Sequence, residues 1–308
     1  MRTRTGRYIA VLGMVGALVA GCGSGPSRVD SAAIVGDESI PLSEVQPAIT
    51  SVLTRPGLAE QLQASGGSGP EIGRVVVSQL VIRDLLERTA AEQGISVSDQ
   101  QVTEEIDRAG GEEAVTAQSL AVGGARAAVR DQLLLTELAR RDVDRLSVTA
   151  DVAVAESRDE ATALARDLAA GGSRAEAALA EPGTTQRGLT VRPSETPQLA
   201  ASPLIGIPAG WVAVVSGGEG QRWLVIRVTE RTLDGPPAEP EASAAARLDP
   251  ATLSEAGLRL LTPTSLRTGV ELNPRYGVWD PVQMLAVPAE QASEVIPVGD
   301  GAAAPPAG

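Results

Sequence analysis

A change of hydrophobic period near Leu146 divides this chain more firmly than any other feature. Upstream, between 71 and 93, Ile72, Val76, Leu80, Ile82, Leu85 and Leu86 recur at the spacing of a helix buried on one side, and Gly94 supplies a C-terminal stop. Ser98 and Gln101 fit a reciprocal cap that opens a further helix to about 108. Gly110-Gly111 and Gly123-Gly124 bracket a weaker helix. A long one then runs from 125 to 145, with Val129, Leu133, Leu134 and Leu138 facing inward. No aromatic residue falls between 31 and 147, so these helices must pack through aliphatic side chains alone.

Downstream the period becomes that of a strand over 147–155. Ser157 and Glu160 cap a helix to 170 that Gly171-Gly172 ends, and Ser173 with Glu176 caps a shorter helix stopping at Glu181-Pro182. After a polar segment, the runs 211–215 and 221–230 read as strands joined by Ser216-Gly217-Gly218-Glu219-Gly220, a hairpin signal. The order β-α-α-loop-β-β over 148–232 makes a small α+β unit. At the other end, residues 32–35 and Ile40 flank a turn at Gly36-Asp37, and Ser43 with Gln46 fits a cap for a helix to about 53. Residues 233–248 read as a Pro/Glu/Ala-rich linker. Asp249-Pro250 then starts a helix through Leu253, Leu258, Leu260 and Leu261, followed by an extended stretch over 268–280. Residues 249–298 are expected to complete the helical module, and 299–308 to form a disordered tail.

Composition narrows the chemistry. All 26 basic residues are Arg, and the chain has no His, no Lys, no Phe, one Cys (Cys22) and one Asn (Asn273). Without His there is no imidazole-based nucleophile system, and without Lys no Schiff base. A lone Cys builds neither a thiolate zinc site nor an intramolecular disulfide, and no cofactor or metal is expected. Lys, Phe and Asn share AT-rich codons, so a GC-rich genome accounts for their scarcity together; it does not account for the missing His.

Arg2, Arg4 and Arg7 precede an apolar run from Tyr8 to Ala20, too short to span a bilayer as a mature helix. The run ends in Val19-Ala20-Gly21-Cys22, which resembles the lipobox of bacterial lipoprotein precursors. That resemblance implies a signal peptide over 1–21, diacylglyceryl attachment at Cys22 and a tether over 22–30. Cleavage removes three Arg and no acid, so the charge of −13 becomes −13 − 3 = −16. Such an acidic protein does not suit nucleic acid or an anionic lipid surface, so the acyl chains would carry the attachment to the outer face of the cytoplasmic membrane.

Ala33-Ile34-Val35-Gly36-Asp37 with Ile40, the run from Ala90 to Ser98 and the Arg/Leu-rich helix from Val129 to Val143 resemble the N-terminal module of SurA/PrsA-type extracytoplasmic foldases. The lipoprotein plan, with Asn273-Pro274-Arg275-Tyr276-Gly277 and Trp279-Asp280 near the C-terminus, is similar to actinobacterial SurA-like lipoproteins. The resemblance implies an α+β fold: a mainly helical chaperone module over 31–147 with an inserted parvulin-like domain over 148–232. Parvulins carry a His in the first and last strands, where this chain has Asp151 or Val152 and Leu224, and the Phe of their proline pocket is also missing. The resemblance therefore implies a degenerate domain.

The function expected is that of a membrane-anchored chaperone for unfolded or newly exported proteins, without a catalytic residue. The alternatives are an active parvulin-type prolyl isomerase and an envelope scaffold lipoprotein with one dedicated partner. Trp211 and Trp223, on the two hairpin strands, either pack a small core or face a peptide groove. Tyr276 and Trp279 either bind a client or anchor a segment that returns to pair with the strand near Ile34. Glu104, Glu105 and Asp107 lack calcium-loop spacing and read as solvated helix charge.

Overall fold

The computed structural model describes residues 29–55, 69–180, 183–217, 222–235 and 243–299. Cys22 and the signal-like segment, most of the tether, the centre of the 233–248 linker and the tail beyond 299 lie outside them. None of the described helices is long and apolar enough to cross a membrane.

Strands β1 (Ser31–Val35) and β2 (Glu38–Pro41) pair antiparallel about Gly36, whose φ of +63° suits a residue without Cβ. Helix α1 (Leu42–Leu53) follows directly. Its N-cap is Pro41 and no side chain caps it, so the reciprocal cap expected of Ser43 and Gln46 does not form. At Ser98 it does form, and it opens α3 (Asp99–Arg108). Between them α2 (Gly69–Gln93) buries Val76, Val77, Val81 and Leu85. Helix α4 (Glu112–Gln118) is short, and α5 (Ala125–Asp142) ends three residues before the expected 145. There Arg145 and Leu146 turn their N–H groups back to Asp142 O, which launches the chain into β3 (Ser147–Ala155).

The second sheet is five-stranded, in the order β10-β5-β6-β3-β4 with every pair antiparallel. It comprises β3, β4 (Thr185–Val191), β5 (Trp211–Ser216), β6 (Trp223–Thr232) and β10 (Glu294–Pro297). Helices α6 (Arg158–Ala170) and α7 (Gly172–Ala178) cover one face, where Ala153, Ala155, Val212, Val214 and Val225 meet Ala161, Ala165 and Leu168. Small residues on both sides let helix and sheet approach closely. The other face, with Ala150, Ala213, Ile226 and Val228, is continuous with the core that also contains Val76 and Leu85 of α2. The helical region and the α+β unit therefore share one hydrophobic core.

Several expectations need correction. The polar segment contains β4, an edge strand whose outward residues are hydrophilic. The stretch 249–298 does not belong wholly to the helical module, because β10 pairs with β5 of the other sheet. Ser173 caps nothing, since α7 begins one residue earlier behind Gly171. The linker holds a short helix, α8 (Ala244–Arg247), capped by Ser243. The single helix expected from 250 to 261 is two, α9 (Pro250–Arg259) and α10 (Thr262–Thr268). Pro263 lacks the N–H that would carry the α9 ladder onward to Arg259 O.

Candidate functional site

Strand β7 (Val270–Leu272) lies antiparallel on β1, with Leu272 opposite Ala33, Glu271 opposite Ile34 and Val270 opposite Val35. The C-terminal stretch thus returns to the strand at Ile34, and the first sheet runs β2-β1-β7. Asn273 fixes the return. Its backbone N–H donates to Ala32 O at 2.9 Å, its Nδ2 donates to Ser31 O at 3.1 Å, and its Oδ1 accepts from Arg275 N at 3.3 Å. An Asp here could cap the following turn but could not donate to Ser31.

Tyr276 drops from that turn into the core, 4% exposed, against Gly73 of α2, where a Cβ would stand 3.2 Å from the ring. Its hydroxyl accepts from Gln46 Nε2 at 3.4 Å. Gly277 has φ +87°, and a Cβ there would lie 2.2 Å from Val287 O, so conformation and space both require glycine. Next come β8 (Val278–Asp280) and β9 (Leu285–Val287), paired to each other. Trp279 Nε1 donates to Ser265 Oγ at 2.8 Å, which fixes the indole over the end of α10. The fully buried Asp280 accepts from Val282 N and Gln283 N at 2.9 Å and from Ser293 N at 2.8 Å. Ala286 N donates to Ser78 Oγ of α2 at 2.7 Å. Sequence reasoning singled out Tyr276 and Trp279 but not Ser265, which holds the Trp279 indole, nor Ser78 and the Asp280 carboxylate, which fix the segment after it. Only Asp280-Pro281 carried a local turn signal.

These elements enclose a groove of about 820 Å³ whose wall is mostly apolar, formed by Ala33, Ile34, Val270, Leu272, Val278 and Trp279. Val278 is 38% exposed at its mouth, and Leu285 is 41% exposed on the adjacent strand. Among the described residues no cluster of three or more His, Cys, Asp or Glu could hold a metal ion. What such a wall can do is take apolar surface out of water.

The two hairpin tryptophans do not join it. Trp211 sits opposite Val228 and packs on the shared core. Trp223 lies at the other end of the hairpin, opposite Ser216 on the α6 side, with the Arg158 guanidinium 5.5 Å above its ring. At the strand positions raised by the parvulin resemblance, Leu224 pairs with Val154 and Val152 with Ile226. The Asp151 carboxylate accepts from Arg227 Nε at 3.0 Å, Arg227 Nη2 at 2.5 Å and Gly188 N at 2.9 Å, tying β3 to both neighbours.

A second groove of about 550 Å³ runs between α2, α5 and α9, with Ile82, Ala128, Leu135 and Leu258 on its wall. At its edge Asp131 accepts from Arg83 Nε and Nη2 at 2.9 and 2.8 Å. Burial still raises the Asp131 carboxyl above its ordinary range, and Glu87 is raised by its own burial and then by Asp131.

The SurA-like N-terminal domain model matches residues 1–111, a span that includes β1 and its groove-lining residues. No curated protein matches the chain. A solved chain from work on two structurally related SurA-like chaperones of Campylobacter jejuni aligns over 79% of this chain and 98% of its own, at 12% identity and a TM-score of 0.26. Residues 1–111 are thus similar to the SurA-like N-terminal domain.

Proposed function

We propose that this protein is an outward-facing, lipid-anchored chaperone that holds apolar segments of newly exported polypeptides. The observation that carries the reading is the apolar groove beside Trp279, built partly from the strand that lies within the SurA-like domain. An aliphatic and indole wall makes non-directional contacts, which suit clients that share only exposed hydrophobic side chains. The anchor and the outward placement rest on the lipobox-like Val19-Ala20-Gly21-Cys22, with Cys22 the one acylation point. Prolyl isomerisation is not part of the reading. The chain holds no imidazole, Leu224 and Val152 are apolar, and the Asp151 carboxylate is engaged by Arg227 and Gly188.

The test is suppression of aggregation of two unrelated chemically unfolded proteins by the full chain. Suppression of both is expected, with Trp279→Ala weakening it several-fold. Protection of neither would overturn the reading, and capture of a single stoichiometric partner would replace it with a scaffold. A protease-coupled prolyl-peptide assay is expected to give the uncatalysed rate; any excess over it would restore the isomerase.

A further inference from the structure

Building on the chaperone reading, we infer that the groove takes its occupant as an added β-strand. An extended, β-branched segment with a basic residue at one end would lie antiparallel along the outer edge of β7. That edge pairs with no strand among the described residues. Its hydrogen-bonding groups follow from the ladder. Asn273 N donates to Ala32 O, and Gly36 N to Gly269 O. Hydrogen-bonded pairs recur at every second position, so Glu271 bonds inward to Ile34 while Val270 and Leu272 turn their N–H and C=O groups outward. A strand laid there meets two residues, each with a donor and an acceptor.

Proteins blunt exposed strand edges with charge, proline or cover. The outward-turned residues of β7 are Val270 and Leu272, and both line the groove. Across it, Ala286 N is engaged by Ser78 Oγ, so the Trp279–Ala286 pair is the non-bonded kind and the Trp279 backbone faces away from β9. The groove thus combines free backbone groups for affinity with an apolar wall for alternate side chains, the two components of recognition by strand addition. Charge selects the ends. Apart from the buried Asp280, the lining and its immediate chain neighbours contribute Asp30, Glu271 and Glu290 against Arg275 alone, on a chain of net charge −13. A basic terminus on the occupant complements that rim.

The probe is a synthetic peptide, Arg followed by alternating Thr and Val, titrated by calorimetry into the full chain in zwitterionic nanodiscs, with empty discs as blank. In an extended strand the Val amides face one edge and the Thr amides the other. N-methylation of one set should therefore weaken binding about tenfold, the loss of a few backbone hydrogen bonds, and methylation of the other set much less. Exchanging the terminal Arg for Glu should also weaken it. Leu272→Pro removes an outward N–H without touching the β1 ladder and should weaken binding with an unchanged melting temperature. Equal effects of the two methylation sets, or no binding of the parent peptide, would overturn strand addition. Both comparisons use the unaltered protein, so the outcome stands even if Leu272→Pro fails to fold. It is also independent of the aggregation assay: a flat methylation series with intact aggregation suppression removes strand addition and leaves the chaperone reading in place.

Discussion

Helix α9 meets α5 backbone to backbone at Gly257, and Gly257→Ala tests how much of the helical region depends on that approach. A Cβ built there stands 2.0 Å from Leu135 O and 2.7 Å from its carbonyl carbon. Ordinary contact begins near 3.4 Å, so the two helices must part by about 1.4 Å, and a gap of that size forfeits more than half of each dispersion contact across the interface. Forced overpacking of this kind costs roughly 1–3 kcal/mol, and the top of that range applies because the obstacle is main chain, which has no rotamer to yield. Alanine returns about 1 kcal/mol of helix propensity at the same position. The expected net loss is about 2 kcal/mol, which lowers the melting temperature by about 4–8 °C in a domain of this size. Circular dichroism on the full chain measures it. Gly69→Ala is the control, since nothing lies within 4 Å of a Cβ there and its effect should be neutral or slightly stabilising. Equal stability of Gly257→Ala and its parent would refute the backbone contact between α5 and α9.

Other perturbations separate burial from polarity. Thr262 Oγ1 is buried without a hydrogen-bond partner among the described residues, so the near-isosteric Thr262→Val should raise stability by about 1–2 kcal/mol in urea unfolding; a loss would show that the hydroxyl is engaged. Asp142, 5% exposed, has its carboxyl pushed above the ordinary range by burial, with Arg141, Arg231 and Arg145 opposing less strongly. The folded state thus holds that proton more tightly than the unfolded chain. The associated stability is full below the ordinary carboxylate pKa of about 3.9 and is lost as pH rises through the raised folded value. Asp131, raised for the same first reason, acts in the same direction. Asp142→Asn mimics the protonated form, so it should gain stability over the parent at neutral pH and show a shallower fall between acid and neutral. A parent no more stable relative to the variant in acid than at neutral pH would reverse the sign.

Local signals wrote the elements whose own residues decide them. Ser98 and Gln101, Ser157 before α6, Asp249 before α9 and the alternation of β3 each state a cap or a period within a few residues, and each is realised. Strand β4 was illegible because an edge strand leaves Gln186, Arg187 and Thr190 in water, and Gly188, with φ +59°, interrupts its period. Strand β10 was hidden for a different reason: Glu294 to Pro297 is short and becomes a strand only because β5 lies beside it. The groove divides the same way. Asn273, Tyr276 and Trp279 stood out as rare residue types in a chain poor in them. The facing wall of Ala33 and Ile34 depends on a pairing across more than two hundred residues, which periodicity does not record; it was reached as one of two readings, from the need of an extended segment for backbone partners.

Long-range pairing has a cost during synthesis. A chain emerging N-terminus first exposes the outer side of β1 when residue 35 appears, and its partner β7 follows only at residue 270. The five-stranded sheet also waits, since β5 receives β10 only when residue 294 arrives. Both sheets are therefore completed late, with the β1 edge uncovered from residue 35 to residue 270 and the β5 edge from residue 216 to residue 294. Non-local closure of this kind is slow and exposes aggregation-prone surface. For most of its own biogenesis, this protein has the same unmet need for edge protection as the clients proposed for it.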